Sequence, residues 1–310
     1  MKDNQVLGLH HITAIAGDAK RNLDFYTKVL GLRLVKKTVN FDDPGTYHFY
    51  FGNESGTPGT ILTFFPWEGI GAGRNGTGMA THISYSVPKG ALAFWKQRLT
   101  AFKVPFEQAE AFGEPVISFK DPDGLQLQFI EPVDGDDRKA WTTADINADA
   151  ALKGFYGVTL TLDKAEPTAK VLTDILGYKA YQNEGGTLRF KTDNIDTANT
   201  LDIVERPGGQ RGHNAAGTNH HIAFRVKNDD ILMEYREKVL SAGLQITPKI
   251  DRDYFFSLYF REPGGVLFEL ATDNPGFTRD EPLSTLGTAL KLPKQYEALR
   301  SKIEKVLPQL

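Results

Sequence analysis

The 310-residue chain contains no cysteine. This absence excludes disulfide bonds, thiol nucleophiles, iron–sulfur clusters and every metal site that uses a thiolate ligand. Any metal that the protein binds must therefore be held by nitrogen and oxygen atoms.

The chain also lacks an excess of basic charge and a long apolar run. Its 36 Lys and Arg residues are balanced by 39 Asp and Glu residues, for a net charge of -3. No stretch approaches the ~20 apolar residues of a membrane span, and residues 1–5 lack the apolar core of a signal peptide. We expect a cytoplasmic protein with neither a nucleic-acid nor a membrane partner, and the composition leaves a homo-oligomer open.

What the sequence does have is a pattern that recurs four times, with a period of roughly 70 residues. Each copy has a short strand, an amphipathic helix and a meander of strands that ends in an apolar run. This pattern predicts an α+β fold of four βαβββ modules. We expect one pair of modules in residues 1–140, a second pair in 150–275, and a tail with a helix in 276–310.

One carboxylate stands out in the last module. Glu269 lies in an apolar strand, and a buried carboxylate without a partner costs several kcal/mol. Two other strands begin with a pair of histidines, His10 and His11 near the N-terminus and His220 and His221 in the fourth module. These side chains are candidate partners for Glu269.

A comparison of the modules predicts which of them cooperate. In each copy we align the first residue of the first strand with the middle of the last strand. The aligned pairs, in chain order, are His11 and Phe64, His82 and Gln128, Gly157 and Val204, and His221 and Glu269. Modules one and two would supply two histidines and no carboxylate, and modules three and four one of each. Modules one and four together supply two histidines and one carboxylate, a set that suits non-haem Fe(II). We therefore expect no metal at His82, and we expect His48 and His213 at the surface or at a strand edge.

The repeats resemble the vicinal-oxygen-chelate superfamily, whose fold is two barrels of curved sheet and which includes glyoxalase I, bleomycin-resistance proteins and extradiol dioxygenases. More narrowly, modules one and four resemble the hydroquinone-type ring-cleaving dioxygenases. The segments that carry this narrower resemblance are 9–13, 35–38, 47–51, 56–60, 220–224, 259–269 and 276–281.

The resemblance implies one Fe(II), or Mn(II), held by His11, His221 and Glu269. It implies oxygen-dependent opening of a hydroquinone or catechol ring, in the degradation or detoxification of aromatic compounds and quinones. It also implies that five further side chains line the pocket: His10, Thr13, His220, Arg252 and Tyr259.

The pattern alone leaves the orientation of several of these side chains open. His10 and His220 precede the ligands, so strand alternation turns them away from the metal, against the resemblance. Tyr259 lies opposite Glu269 only if the turn before the last strand has three residues or a glycine bulge; an even-numbered loop would put Leu258 there.

The remaining pocket predictions concern substrate contacts. Thr13 shares a strand face with His11, and either contacts substrate or fills core space. Arg252 either offsets the charge of a bound phenolate or is a solvated loop residue. Phe224, together with Phe64 and Phe256, is expected to form an apolar wall for a flat ring.

Two other functions stay open at this point. A glyoxalase-type isomerase or lyase usually needs a second carboxylate at the metal, where the alignment places Phe64. A metal-free protein that sequesters an aromatic drug would leave the two histidines and Glu269 without a purpose. The glycine-rich segments 67–78 and 207–218 are candidate lids.

Overall fold

The computed structural model describes residues 4–310, which form two eight-stranded sheets with helices packed against them. The strands are β1 (Leu9–Ala16), β2 (Arg33–Val39), β3 (Tyr47–Gly52), β4 (Ile61–Pro66), β5 (Met79–Ser86), β6 (Phe106–Ala111), β7 (Glu114–Lys120), β8 (Gln126–Ile130), β9 (Gly154–Leu162), β10 (Lys179–Glu184), β11 (Thr187–Lys191), β12 (Thr200–Glu205), β13 (Thr218–Val226), β14 (Ile250–Asp251), β15 (Phe255–Arg261) and β16 (Leu267–Pro275). The helices are α1 (Ala19–Asp24), α2 (Leu92–Ala101), α3 (Glu166–Lys170), α4 (Asp229–Ser241) and α5 (Arg300–Val306).

Each sheet combines one module from each half of the chain. The first sheet has the order β14-β15-β16-β13-β1-β4-β3-β2, and the second has β10-β11-β12-β9-β5-β8-β7-β6. Modules one and four therefore share a sheet, as do modules two and three, and this confirms the predicted fold. The division of the chain at residues 140, 150 and 276 stays a prediction. Each sheet contains strands from both halves of the chain, so the sheets do not test where the chain divides.

The four module helices bury equivalent residues in one hydrophobic core. Tyr26, Trp95, Leu172 and Leu232, one from each module, are all fully buried there. In modules one and three, helices α1 and α3 continue as a π-helical turn at Phe25–Val29 and Val171–Ile175. Because apolar side chains of all four helices pack against one face of the sheets, the opposite, concave faces are not covered by these helices.

The junction between modules carries a matched pair of β-bulges in each sheet. In the first sheet β1 and β13 are antiparallel, and their pairing skips His10 on β1 and His220 on β13. In the second sheet the pairing of β5 and β9 skips Thr81 and Tyr156. A bulged residue leaves the regular alternation of a strand, so its side chain is not bound to the face that alternation assigns.

The C-terminal tail returns to the first sheet. Lys36 on β2 is fully buried, and its ammonium group lies 2.6 Å from a carboxylate oxygen of Asp280 and 2.5 Å from one of Glu281. Phe277 and Leu286 of the tail are buried in a second apolar cluster of this sheet. The helix predicted near the C-terminus is present as 3₁₀ turns followed by α5.

Candidate metal centre

His11, His221 and Glu269 meet on three neighbouring strands of the first sheet, β1, β13 and β16. One carboxylate oxygen of Glu269 lies 3.1 Å from His11 Nε2 and 2.9 Å from His221 Nε2. All three side chains are buried. They form the only cluster of three potential metal ligands found among residues 4–310.

The chemistry of this cluster fits a cation. Two ligand atoms that bind one metal at about 2.1 Å, with a right angle between the bonds, lie about 3 Å apart. The distances from Glu269 to the two histidines match this separation. His221 Nε2 and both carboxylate oxygens of Glu269 are buried and make no hydrogen bond within the described part of the chain. Burial by itself raises the pKa of Glu269, but His11 and His221 hold that pKa well below its ordinary value, so the carboxylate stays ionised. A buried, ionised and unbonded carboxylate calls for a positive charge.

The two bulged histidines orient the two ligand histidines. His10 Nδ1 lies 2.9 Å from His11 Nδ1, and His220 Nδ1 lies 2.7 Å from His221 Nδ1. With a metal bound at Nε2 of His11 and of His221, Nδ1 of each ring would carry the proton and donate to the neighbouring imidazole. Burial lowers the pKa of His10 and takes that of His220 to about 3, so both stay neutral and can accept.

The two supporting histidines differ in where their other nitrogen lies. His10 Nε2 is 3.1 Å from the carbonyl oxygen of Thr272, which fixes the ring, and His10 does not line the cavity. His220 lines the cavity directly. The structure thus places His220 at the cavity wall, while His10 lies behind its ligand, on the side that the sequence pattern favoured.

The metal cluster opens onto a cavity of about 350 Å³. The wall near the cluster includes Thr13, Arg252 and Tyr259, as the resemblance implied. Aromatic side chains supply much of the remaining wall: Phe41, Tyr50, Phe65, Trp67 and Phe255. A cavity of this size with a few polar groups beside a metal cluster suits a small aromatic molecule.

Tyr259 lies directly opposite Glu269 in the pairing of β15 with β16. The last pair before the turn is Arg261 with Leu267, so the loop between β15 and β16 has five residues. An odd-numbered loop has the same effect as the three-residue loop considered above: it places Tyr259, not Leu258, on the metal side. Arg252 Nε donates to the Tyr259 hydroxyl oxygen over 3.3 Å. Burial raises the pKa of Tyr259 above its ordinary value, so its phenol keeps a proton that it can donate into the cavity.

The expectation for His48 was wrong. It is buried, lines the cavity, and belongs to a chain of hydrogen bonds that ends at Thr13. Its Nε2 lies 2.9 Å from the Thr63 hydroxyl, and Thr63 lies 2.8 Å from the Thr13 hydroxyl. Its Nδ1 lies 3.0 Å from the hydroxyl of Tyr50. The sequence signal was available in Thr13, His48 and Tyr50, since β1 and β3 both flank β4 and turn polar residues to the same face. His213 is exposed, as predicted.

The predicted apolar wall needs correction at all three positions. Phe224 is fully buried in the core, where it packs against Tyr178 and Phe268, and it does not line the cavity. Phe64 likewise packs into the core. The cavity is lined instead by Phe65 and Phe255, the residues next to Phe64 and Phe256 along their strands. Adjacent residues of a strand point to opposite faces, so a misassignment by one position exchanges wall for core.

The alignment of the last strands is also corrected by the register. Ala223 pairs with Glu269, and the equivalent residues Thr13 and Thr159 pair with Thr63 and Asp202. Thr63 and Asp202, not Phe64 and Val204, are therefore the counterparts of Glu269 in modules one and three. The second module's counterpart is Gln128, as predicted.

In the second sheet, the carboxylate that corresponds to Glu269 is bound by an arginine. Asp202 pairs across the sheet with Arg189, which stands where the first sheet has Tyr259. The guanidinium group donates to both carboxylate oxygens of Asp202 over 2.9 Å each, and to Glu114 over 3.0 Å. His82 contacts Thr81 and belongs to no metal cluster in the described range.

Comparison with known proteins agrees with this geometry. The family model described as the Glyoxalase/Bleomycin resistance protein/Dioxygenase superfamily matches residues 8–129 and 155–270. The chain belongs to this superfamily.

Several relatives match nearly the whole chain. A Bacillus subtilis protein named "Putative ring-cleaving dioxygenase MhqO" is 48% identical over 98% of this chain and 96% of its own length. A "Chlorohydroquinone/hydroquinone 1,2-dioxygenase" of Sphingobium indicum is 35% identical over 96% of this chain and 95% of its own. A crystal structure described as a "putative dioxygenase" from Bacillus subtilis superposes with a TM-score of 0.95 at 47% identity, covering 99% of this chain and 98% of that one.

A more distant structure, glyoxalase I from Zea mays, shares the fold at a TM-score of 0.63 and 14% identity, over 86% of this chain and 92% of that one.

No helix within residues 4–310 is both long and apolar enough to cross a membrane.

Proposed function

We propose that this protein is a metal-dependent dioxygenase that opens the ring of a hydroquinone with O2. The observation that carries the proposal is the two-histidine, one-carboxylate cluster with unbonded ligand atoms at the edge of an aromatic-walled cavity. This ligand set is typical of non-haem Fe(II) oxygenases. The ring-cleaving names of relatives that match the chain nearly end to end support the same reaction.

His11, His221 and Glu269 would hold Fe(II), and Mn(II) is the alternative that the same ligands suit. When bound, the metal supplies a Lewis-acid and redox centre at which a diol oxygen and O2 come together. Because the site lacks sulfur ligands and holds two neutral imidazoles and one carboxylate, one positive charge would remain on a bound divalent ion. That charge favours the ionised form of a substrate hydroxyl.

The side chains around the cluster would bind and orient the diol. Tyr259 presents a phenol O–H that can donate to a substrate oxygen, and Arg252 holds that phenol in place and adds positive charge beside a developing phenolate. Thr13, opposite His221 on the neighbouring strand, offers a second hydroxyl. Phe65, Phe255 and Trp67 would enclose the flat ring and exclude water, which strengthens these interactions.

The structure gives less support to a glyoxalase-type isomerase. Such an enzyme needs a second carboxylate as a base, and the counterpart of Glu269 in module one is the hydroxyl residue Thr63. The cytoplasmic location expected from the sequence stays a prediction.

The test is oxygen uptake by protein reconstituted anaerobically with Fe(II). Unsubstituted, methyl- and chloro-hydroquinone should each consume one O2 per ring opened, and catechol in a parallel assay tells a para-diol enzyme from an ortho-diol enzyme. The Glu269→Gln variant should consume none. If the protein binds one iron per chain and no aromatic diol elicits uptake, the proposed function is wrong.

A further inference from the structure

Four side chains on three neighbouring strands form one continuous chain of hydrogen bonds along the cavity wall. In order they are Tyr50, His48, Thr63 and Thr13, with separations of 3.0, 2.9 and 2.8 Å between their polar atoms. We call this set the Tyr50–Thr13 chain. Both of its ends line the cavity, whereas Thr63 in its interior is fully buried.

The number of protons in this chain is fixed. Burial keeps the imidazole of His48 neutral by lowering its pKa, and burial raises the pKa of Tyr50, which keeps its phenol protonated. Each of the four groups then carries one donor proton, four in all. Three hydrogen bonds use three of these protons, so one is left over.

Thr63 is fully buried, and among the described residues its hydroxyl hydrogen-bonds only to His48 and Thr13, so its own proton must lie in one of these two bonds. The spare proton then has two places to go. If Tyr50 donates to His48 Nδ1, then His48 Nε2 donates to Thr63, Thr63 donates to Thr13, and the free O–H is at Thr13. If the direction reverses, Thr13 donates to Thr63, Thr63 to His48 Nε2, and His48 Nδ1 donates to Tyr50, whose O–H is then free. The two arrangements differ in the tautomer of His48 and keep every internal hydrogen bond.

We propose that His48 is a specificity-determining residue whose tautomer decides which end of the Tyr50–Thr13 chain donates into the cavity and which end accepts. When Thr13 donates, Tyr50 offers its oxygen as an acceptor from the substrate, and the converse holds in the other tautomer. The wall is therefore complementary to a ligand that has an acceptor at one end and a donor at the other.

This inference rests on the proposed function for the identity of the ligand. A hydroquinone that has lost one proton has these two ends: the ionised oxygen only accepts, and the intact hydroxyl donates. Thr13 lies beside the metal ligands, so the ionised oxygen belongs at the Thr13 end and the intact hydroxyl at the Tyr50 end. A doubly ionised diol would have no donor for the accepting end of the chain and would mismatch it.

The direct test is the tautomer of His48, read from the ¹⁵N chemical shifts of the histidine side chains in the full-length protein without metal. In Thr13→Val, the Thr63 hydroxyl has only His48 Nε2 as an acceptor, so His48 should carry its proton on Nδ1. In Tyr50→Phe, an Nδ1 proton would have no acceptor, so the proton should lie on Nε2. His48→Gln removes the signal and thereby assigns it among the seven histidines.

Opposite tautomers in the two variants are the expected result. The same tautomer in both, or an imidazolium in either at neutral pH, would overturn the proposal. If Thr13→Val does not fold, Thr63→Val serves instead, because it leaves an Nε2 proton without an acceptor and should likewise give the Nδ1 tautomer. None of these measurements depends on oxygen uptake, so they can fail or succeed separately from the proposed function.

A second measurement tests the specificity. Hydroquinone and 4-methoxyphenol can each lose one hydroxyl proton, but only hydroquinone then keeps a donor at the other end. Their dissociation constants can be followed by the fluorescence of Trp67 in the cavity wall. The wild-type protein should prefer hydroquinone by about tenfold, the value of one hydrogen bond of about 1.4 kcal/mol. Tyr50→Phe should reduce that preference to about threefold or less, and an unchanged preference would contradict the assignment of the ends.

Discussion

Asp202 and Glu269 occupy equivalent positions in the two sheets but face different residues across the neighbouring strand. Asp202 faces Arg189, which holds both of its oxygens and also reaches Glu114. Glu269 faces Tyr259, and none of its oxygens is hydrogen-bonded within residues 4–310. Gly157 stands in the second sheet where the first has His221.

One fold is thus used for structure in the second sheet and for chemistry in the first. A buried carboxylate needs a positive charge nearby. In the second sheet the chain supplies that charge itself as a guanidinium group, so the site is closed to a metal. In the first sheet the chain leaves the charge to be supplied from solution and provides two imidazoles to hold it.

The largest expected effect is on metal binding when the unpaired acid is removed. Glu269→Gln should weaken metal binding by on the order of a thousandfold. One of three ligands contributes about 4 kcal/mol of a binding free energy of about 12 kcal/mol. Isothermal titration with Zn(II) or anaerobic Fe(II) measures this change. Asp202→Asn is the matched control, and it should leave metal affinity unchanged; an equal loss in both variants would show that the two halves are not distinguished as described.

The next largest effect is on stability and concerns the second sheet. Arg189→Met leaves Asp202 and Glu114 buried without their cation and should reduce the free energy of unfolding by about 3–5 kcal/mol, with metal affinity intact. Urea denaturation checks this. Adding Asp202→Leu to Arg189→Met should recover part of the loss, because it removes the carboxylate that was left unpaired; no loss in the single variant would refute the role given to Arg189.

A smaller effect should follow from giving the first sheet the cation of the second. Tyr259→Arg places a guanidinium group opposite Glu269, and it should weaken metal binding while it raises the free energy of unfolding of the chelator-treated protein by about 1–2 kcal/mol. Tyr259→Phe, which adds no charge, is the control. A variant that binds metal as tightly as the wild type would show that Tyr259 is not the counterpart of Arg189.

The repeat, the fold and the cluster of two histidines with one carboxylate were predictable from the sequence because they rest on strong local signals. Paired histidines at strand starts and a carboxylate in an apolar run are visible without coordinates. The helix positions follow from apolar spacing and from terminal glycines such as Gly31 and Gly177, whose φ angles of +68° and +74° suit glycine.

The errors came from positions where one residue decides the outcome. Phe64, Phe224 and Phe256 were assigned to the wrong strand faces, and Val204 was aligned two residues from Asp202, because register is set by pairing that the sequence does not display. Alternation also could not settle His220, since the bulge that frees it from alternation is a property of the β1–β13 junction. His48 was missed because the chain of hydrogen bonds that it joins runs through Thr63 to Thr13 and so crosses two other strands.

The most direct test of the account is the metal content of three proteins purified identically without chelator and reconstituted with Fe(II). We expect one iron per chain in the wild type, one in His82→Ala and none in His11→Ala, because only the outer modules form the site. Iron retained by His11→Ala, or lost from His82→Ala, would contradict the claim that the first and last modules of the chain share one cation.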